Sequence, residues 1–406
     1  MSIVAPQGSE DGGPSLYRVF AMPSRTDAFA YIPDGRRVVI CCGRTMKVWN
    51  LEKSRQEGKS MEHDSRVFNL EVTQDGKNIV SGDMIGNIKV WDVESQEVVK
   101  RWAHLDGDLP IVISPCGRLI AAGCRTVFIY AAEGGWQIKQ SIEVGERCWC
   151  MAFTPNGDKL ACGTAGGDIL VYGVNSGALV LDPIEGHEDW ISSVVWSRDG
   201  YRLFSCSRDK TIRCWNSVTG EQIGQPWTGH TSSIRSLALS PGGAILASAS
   251  PDRTIRFWET TTGNPIGQPL LHDGGYLSRV LFSPCGEFVA SQTSHGRKIY
   301  VWRVPRSGTP NASRTCIDHS LSTLSQGQAA PIGESLPQAF PPPYTTHLSG
   351  AEYWLDFGPH VSDYESRSAT CLLMLPQGIH TCHDHHSNCF VAQVDPCPSY
   401  PGTKYR

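Results

Sequence analysis

An all-β fold made of seven small antiparallel sheets repeated around an axis is what the sequence predicts, and three observations predict it. An aromatic residue closes a β-rich phrase at Trp49, Trp91, Tyr130, Tyr172, Trp215, Trp258 and Trp302, at steps of 42, 39, 42, 43, 43 and 44 residues. Each phrase contains an upstream turn, in order IPDG, TQDG, SPCG, TPNG, SRDG, SPGG and SPCG. Between these markers the apolar residues alternate over short runs, and no helical period occurs anywhere.

One period shows how the strands are read. Ile234 to Ser240 alternates and is apolar, and Pro241-Gly242-Gly243 turns the chain. Ile245 to Ser250 gives a second strand, Pro251-Asp252-Arg253 a second turn, and Thr254 to Trp258 a third strand. Thr262-Gly263-Asn264 then leads to a weaker outer strand near Ile266. Short strands with turn residues at fixed offsets favour radial repetition, a seven-bladed β-propeller over about residues 15–305. The composition agrees: 41 Gly, 26 Pro and 12 Trp suit tight turns and aromatic strand ends.

The phrases Gly186-His187 to Cys214-Trp215 and Gly229-His230 to Phe257-Trp258 resemble WD40 repeats, and the resemblance extends over the whole seven-fold pattern. The wording GEQIGQPWTGH and GNPIGQPLLH is similar to repeats of fungal members. The family's buried tetrad joins a His, a Ser, an Asp and a Trp, which implies His187, Ser205, Asp209 and Trp215 in blade five. In blade six it implies His230, Ser248, Asp252 and Trp258. Blade two has His63, Ser81 and Trp91, with Ile85 where the Asp is expected. Blade seven has His272, Ser291 and Trp302, with His295 near the Asp position. Blades three and four end in Tyr130 and Tyr172, and blades one and three have shortened second turns. The last repeat stops after its third strand, so Leu16 to Met22 is expected to supply the missing outer strand and close the ring.

Charge and motifs narrow the function. A net charge of −4 argues against affinity built on a broad positive field, as nucleic-acid binding would use. No stretch of about 18 apolar residues occurs, and Met1 to Pro14 carries no secretory h-region. The 15 Cys, an odd count without repeated spacing, are therefore expected as thiols in an intracellular setting, cytoplasmic or nuclear. There is no phosphate-loop, zinc-protease or nucleophile-elbow motif. The His187, Ser205 and Asp209 set could imitate a catalytic triad, but it recurs one repeat later at the same offsets and reads as architecture. No enzyme, cofactor or metal site is expected.

By the resemblance, the top face of the propeller lies three and five residues after each tetrad His and one before the Asp. Transferred blade by blade, those positions give Arg25 and Asp27; Arg66, Phe68 and Met84; Arg147 and Trp149; Trp190, Ser192 and Arg208; Ser233 and Arg235; Tyr276 and Ser278. Arg and aromatic side chains dominate this set, as at interaction hot spots, and Arg forks suit carboxylate or phosphate. The expectation is a scaffold for other proteins, with acidic or phosphorylated peptide as the runner-up ligand. The blander alternative is a solvated rim with Trp149 and Trp190 packed locally.

Residues 1–14 and most of 306–406 are expected to be unstructured, since Ser, Thr, Pro, Gly and Gln dominate the tail up to Thr346. Within it, Pro341-Pro342-Pro343-Tyr344 resembles the PPxY ligand of WW domains, which exploits a preformed polyproline helix. The Cys382-His383-Asp384-His385-His386 run with Cys389 matches no zinc-finger spacing.

Overall fold

The computed structural model describes residues 3–4, 16–22, 24–103, 110–133, 135–272, 275–294 and 296–305, together with the backbone of 370–375 and 378–383. Seven antiparallel sheets follow one another along residues 16–305, each beginning at its inner strand and stepping outward. Blades one, two, three and six have four strands. Blades four and five have three, and their outer segments touch the third strand only through bridges such as Ile169 with Ile184 and Trp215 with Gln222.

Why the chain turns at these points is visible in the seven predicted turns. Gly35, Gly76, Gly117, Gly157, Gly200, Gly243 and Gly286 all have φ between 70° and 78°, a left-handed conformation that a Cβ disfavours. Each turn returns a second strand whose residues are buried on both faces, as in Ile79–Asp83 of blade two and Ile245–Ala249 of blade six.

The core is distributed instead of central. Seven clusters of buried apolar side chains lie among the described residues, one at each junction between neighbouring blades. Phe204 and Trp227 of blade five, for example, pack with Leu246 and Trp258 of blade six. Such a stack of repeats is stable only when its two ends are covered. Here they cover each other: Phe20, Phe29 and Ile40 pack with Ala290 and Val301.

Closure uses the predicted strand. Leu16–Ala21 pairs antiparallel with Lys298–Arg303, with Val19 opposite Tyr300 and Phe20 opposite Ile299. Arg18 donates to the Leu51 carbonyl at 2.9 Å, and Gln292 donates to the Thr26 carbonyl at 2.7 Å, so side chains sew blade seven to blade one as well. Two short pairings lie toward the ends of the chain. Ile3–Val4 pairs with Val19 and Phe20 as a fifth strand of blade seven, because the closing strand would otherwise leave its own edge unpaired. In the second unit of the chain, Thr370–Leu375 and Gly378–His383 form a hairpin, consistent with the apolar run Cys371 to Leu375. Pro341, Pro342 and Tyr344 lie outside the described residues, as does His295.

Candidate interaction face

The tetrads set the frame. In blade five, His187 lies 2.7 Å from Asp209 through Nδ1 and 2.7 Å from Ser205 Oγ through Nε2, and Trp215 Nε1 donates to the same Oγ at 2.7 Å. Blade six repeats this with His230, Asp252, Ser248 and Trp258 at 2.8, 2.7 and 2.9 Å. Burial would raise the Asp209 carboxyl, but the His187 hydrogen bond and charge outweigh it and hold it down at about 2. Asp252 is held down in the same way by His230 and Thr254 against the effect of burial.

Blade two is more complete than its sequence suggests. Ile85 occupies the expected Asp position, but Asp83, two residues earlier, approaches His63 Nδ1 at 3.4 Å and accepts from Asn87 at 2.8 and 3.0 Å. His63 contacts Ser81 at 2.6 Å and Trp91 donates to Ser81 at 2.8 Å. In blade seven no acid meets the His among the described residues. His272 reaches Ser291 at 3.0 Å, but its Nδ1 is buried without a partner among the described residues. Burial pushes His272 down to about 4.

On this frame, a recurring irregularity aims side chains at the mouth of the central channel. The pairing of inner and second strands shifts between Val67 and Asn69, Cys148 and Cys150, Ile191 and Ser193, and Leu277 and Arg279. The extra residues are Phe68, Trp149, Ser192 and Ser278, and all four line the channel. A bulge re-aims its extra side chain, which explains why these positions face the mouth. The turn before the third strand is tied back just above: Ala165 N–H to the Arg147 carbonyl, Arg208 N–H to Trp190, and Met84 N–H to Arg66, at 3.0, 3.0 and 2.8 Å.

Two blades join their top-face residues into one unit. Trp149 and Trp190 stack with centroids 4.9 Å apart and planes 18° from parallel. The Arg147 guanidinium sits 4.2 Å from the Trp149 ring centroid, and the Arg208 guanidinium 3.8 Å from the Trp190 centroid. The result is a four-layer ladder, Arg147–Trp149–Trp190–Arg208, in which each cation caps an aromatic face. Both tryptophans are half-buried. Arg235 of blade six lies beyond Arg208 at the mouth; partial burial and the Arg208 charge lower its affinity for its proton. Arg147, Arg208 and Arg235 form no ion pair among the described residues.

The remaining predicted residues behave differently. Arg25 and Arg66 both bind Asp27, Arg25 at 3.3 Å, so one carboxylate neutralises part of the expected charge. Phe68 and Tyr276 are exposed. Tyr276 stands apart from the ladder on blade seven and does not line the channel.

The channel itself has a volume of about 1240 Å³, bounded by Asp27, Phe68, Trp149, Trp190, Arg208 and Arg235 at one end and by the seven-fold turn residues such as Pro155 and Pro241 at the other. Sequence reasoning missed what crosses it. Arg279 of blade seven donates to Glu71 of blade two at 2.9 Å, and approaches the Leu70 carbonyl at 3.4 Å. Burial pushes the Glu71 carboxyl up, and the Arg279 charge pulls against that. The sequence separation of 208 positions hides the pair from any local motif. Among the described residues no group of three His, Cys, Asp or Glu side chains could hold a metal ion, and no helix is long and apolar enough to cross a membrane.

Comparison with known proteins agrees with this geometry. Residues 179–216 and 220–259, blades five and six, match the WD domain, G-beta repeat family model. The chain is 27% identical over 172 residues to the WD repeat-containing protein SL1-17 of Schistosoma mansoni, covering 40% of this chain and 54% of that one. It is 26% identical to apoptotic protease-activating factor 1 of Danio rerio, over 44% of this chain and 14% of the relative. Protein groucho of Drosophila melanogaster is 26% identical over 48% of this chain and 27% of its own length. In each case the match spans well under two thirds of the relative.

Proposed function

From the premise that this chain is a seven-bladed propeller carrying WD40 repeats, we propose that it is a non-catalytic platform for binding other proteins, with the Arg–Trp ladder as its principal contact. The observation that carries this reading is the ladder with its neighbour Arg235. Three guanidiniums at one mouth have no acidic partner among the described residues, and two large aromatic faces support them. Cations left unpaired beside aromatic surface suit a carboxylate or phosphate on a partner segment. Nucleic acid could use the same chemistry, but a net charge of −4 and a set of contacts without Lys speak against it.

The ten described Cys are free thiols, six of them buried, which supports an intracellular setting. The Pro341 to Tyr344 segment adds a second, independent contact for a WW-domain protein, supported by its sequence alone.

The test is binding of glutamate-rich, phosphoserine and neutral peptides to the full chain, to Arg147→Ala and to Trp190→Ala. Loss of about tenfold in affinity for the anionic peptides in either variant is expected, since hot-spot truncations cost more than about 1 kcal/mol. Unchanged affinity would remove the ladder from the account. Binding several partners at once identifies a scaffold, whereas one short peptide displacing all of them identifies a dedicated reader.

A further inference from the structure

Blade two presents apolar side chains where blades five and six hold their tetrad acids. The turn before the third strand reads Arg208-Asp209 in blade five and Pro251-Asp252 in blade six, with the acid held on its His. In blade two the acid has moved into the end of the second strand, at Asp83, which also accepts the Ile85 N–H at 3.2 Å. Met84 and Ile85 are thereby released from the network, and they are 43% and 59% exposed. Phe68, 46% exposed, is the extra residue of the bulge opposite Asp83 and lines the same channel mouth as Arg208 and Arg235. Large apolar side chains grouped on a surface mark an interaction site. Arg25 and Arg66, on the same side of the propeller mouth, are both paired with Asp27.

We propose that Phe68, Met84 and Ile85 are the apolar half of a two-part docking surface. A single extended segment of a partner protein crosses the channel mouth, setting an apolar side chain on these three residues and an acidic or phosphorylated one on Arg208 and Arg235. This inference rests on the reading of the Arg–Trp ladder and adds a second anchor on the same segment. An extended strand spans about 3.3 Å per residue, so a segment of about ten residues reaches about 33 Å.

The experiment is selection of displayed peptides of about ten residues on the full chain, followed by affinity measurement on Arg208→Ala, on Met84→Ser with Ile85→Ser, and on Met84→Asp. All the changed residues are at least partly exposed, and an unchanged thermal midpoint verifies folding. The expected binders share an acidic or phosphorylated residue and an apolar residue at constant spacing. They are expected to lose about tenfold or more in affinity with either the blade-two or the blade-five change. Binders that depend on Arg208 but are indifferent to Met84 and Ile85 overturn this inference and leave the ladder reading standing. Binders indifferent to Arg208, or no binders at all, overturn both.

Discussion

Blades five and six and blade seven share a fold but hold themselves together differently. In the first two, every polar atom of the His–Ser–Asp–Trp network has a partner at 2.7 to 2.9 Å. In blade seven no acid meets His272 among the described residues, the Trp302 bond to Ser291 lengthens to 3.3 Å, and His272 Nδ1 has no partner among those residues. Blade seven compensates from outside the repeat, with a strand from the chain's beginning on its edge. A satisfied buried network rigidifies, whereas a half-satisfied one costs stability. Arg208, Trp190 and Arg235 are carried by the blades with complete networks, whereas Arg147 and Trp149 are carried by blade four, which ends in Tyr172. The closing blade is therefore expected to open first.

The largest expected effect comes from the tetrad tryptophans. Trp258→Ala, at a residue 1% exposed, removes the packing of the blade five–six junction and leaves Ser248 short of a donor, costing about 4 kcal/mol. Trp302→Ala is expected to cost about 1 kcal/mol less, because its hydrogen bond is already weak. Urea midpoints of both variants measure the difference, and equal losses would break the contrast.

Acid separates the blades by pH window. His272 titrates near 6.5 unfolded and about 4 folded, so between those values the unfolded chain holds a proton that the folded chain lacks. Its contribution is therefore complete above pH 6.5 and falls by up to about 3 kcal/mol as pH drops to 4. Asp209, shifted from 3.8 to about 2, stays ionised in the folded chain, and its contribution fades only as pH falls from 3.8 to 2. Stability measured against pH for wild type and His272→Leu should differ in slope between pH 6.5 and 4. Parallel curves would contradict the assignment.

The same histidine offers a smaller test of opposite sign. His230→Leu leaves Asp252 and Ser248 buried without their partner and is expected to cost about 2 kcal/mol. His272→Leu removes a polar atom that has no partner among the described residues, and a change within about 0.5 kcal/mol, or a small gain, is expected at pH 7. Thermal midpoints check both.

Which parts of this were legible in the sequence follows from the range of the interactions. The seven blades could be read because the period, the Gly turns and the closing aromatics are local and repeat. The bulge residues Phe68 and Ser192 stand at one offset, five residues after His63 and His187, so their place at the channel mouth was readable from the repeat. The Asp83 substitution escaped because the acid shifted by two residues while a fixed offset points to Ile85. The ladder escaped as a unit because Trp149 and Trp190 meet only when blade four packs on blade five. Asp27 looked like a lone acid in sequence and proved to be the shared partner of Arg25 and Arg66. The Glu71–Arg279 strut depends on closure of the whole ring, which no window of sequence contains.

Native-state amide hydrogen exchange, resolved blade by blade, tests most directly the claim that completeness of the buried network sets local stability. The account predicts slowest exchange in the second strands Arg202–Ser207 and Ile245–Ala249, and faster exchange in Phe288–Thr293 and its closing partner Leu16–Ala21. Uniform protection around the ring, or slowest exchange in blade seven, would contradict it.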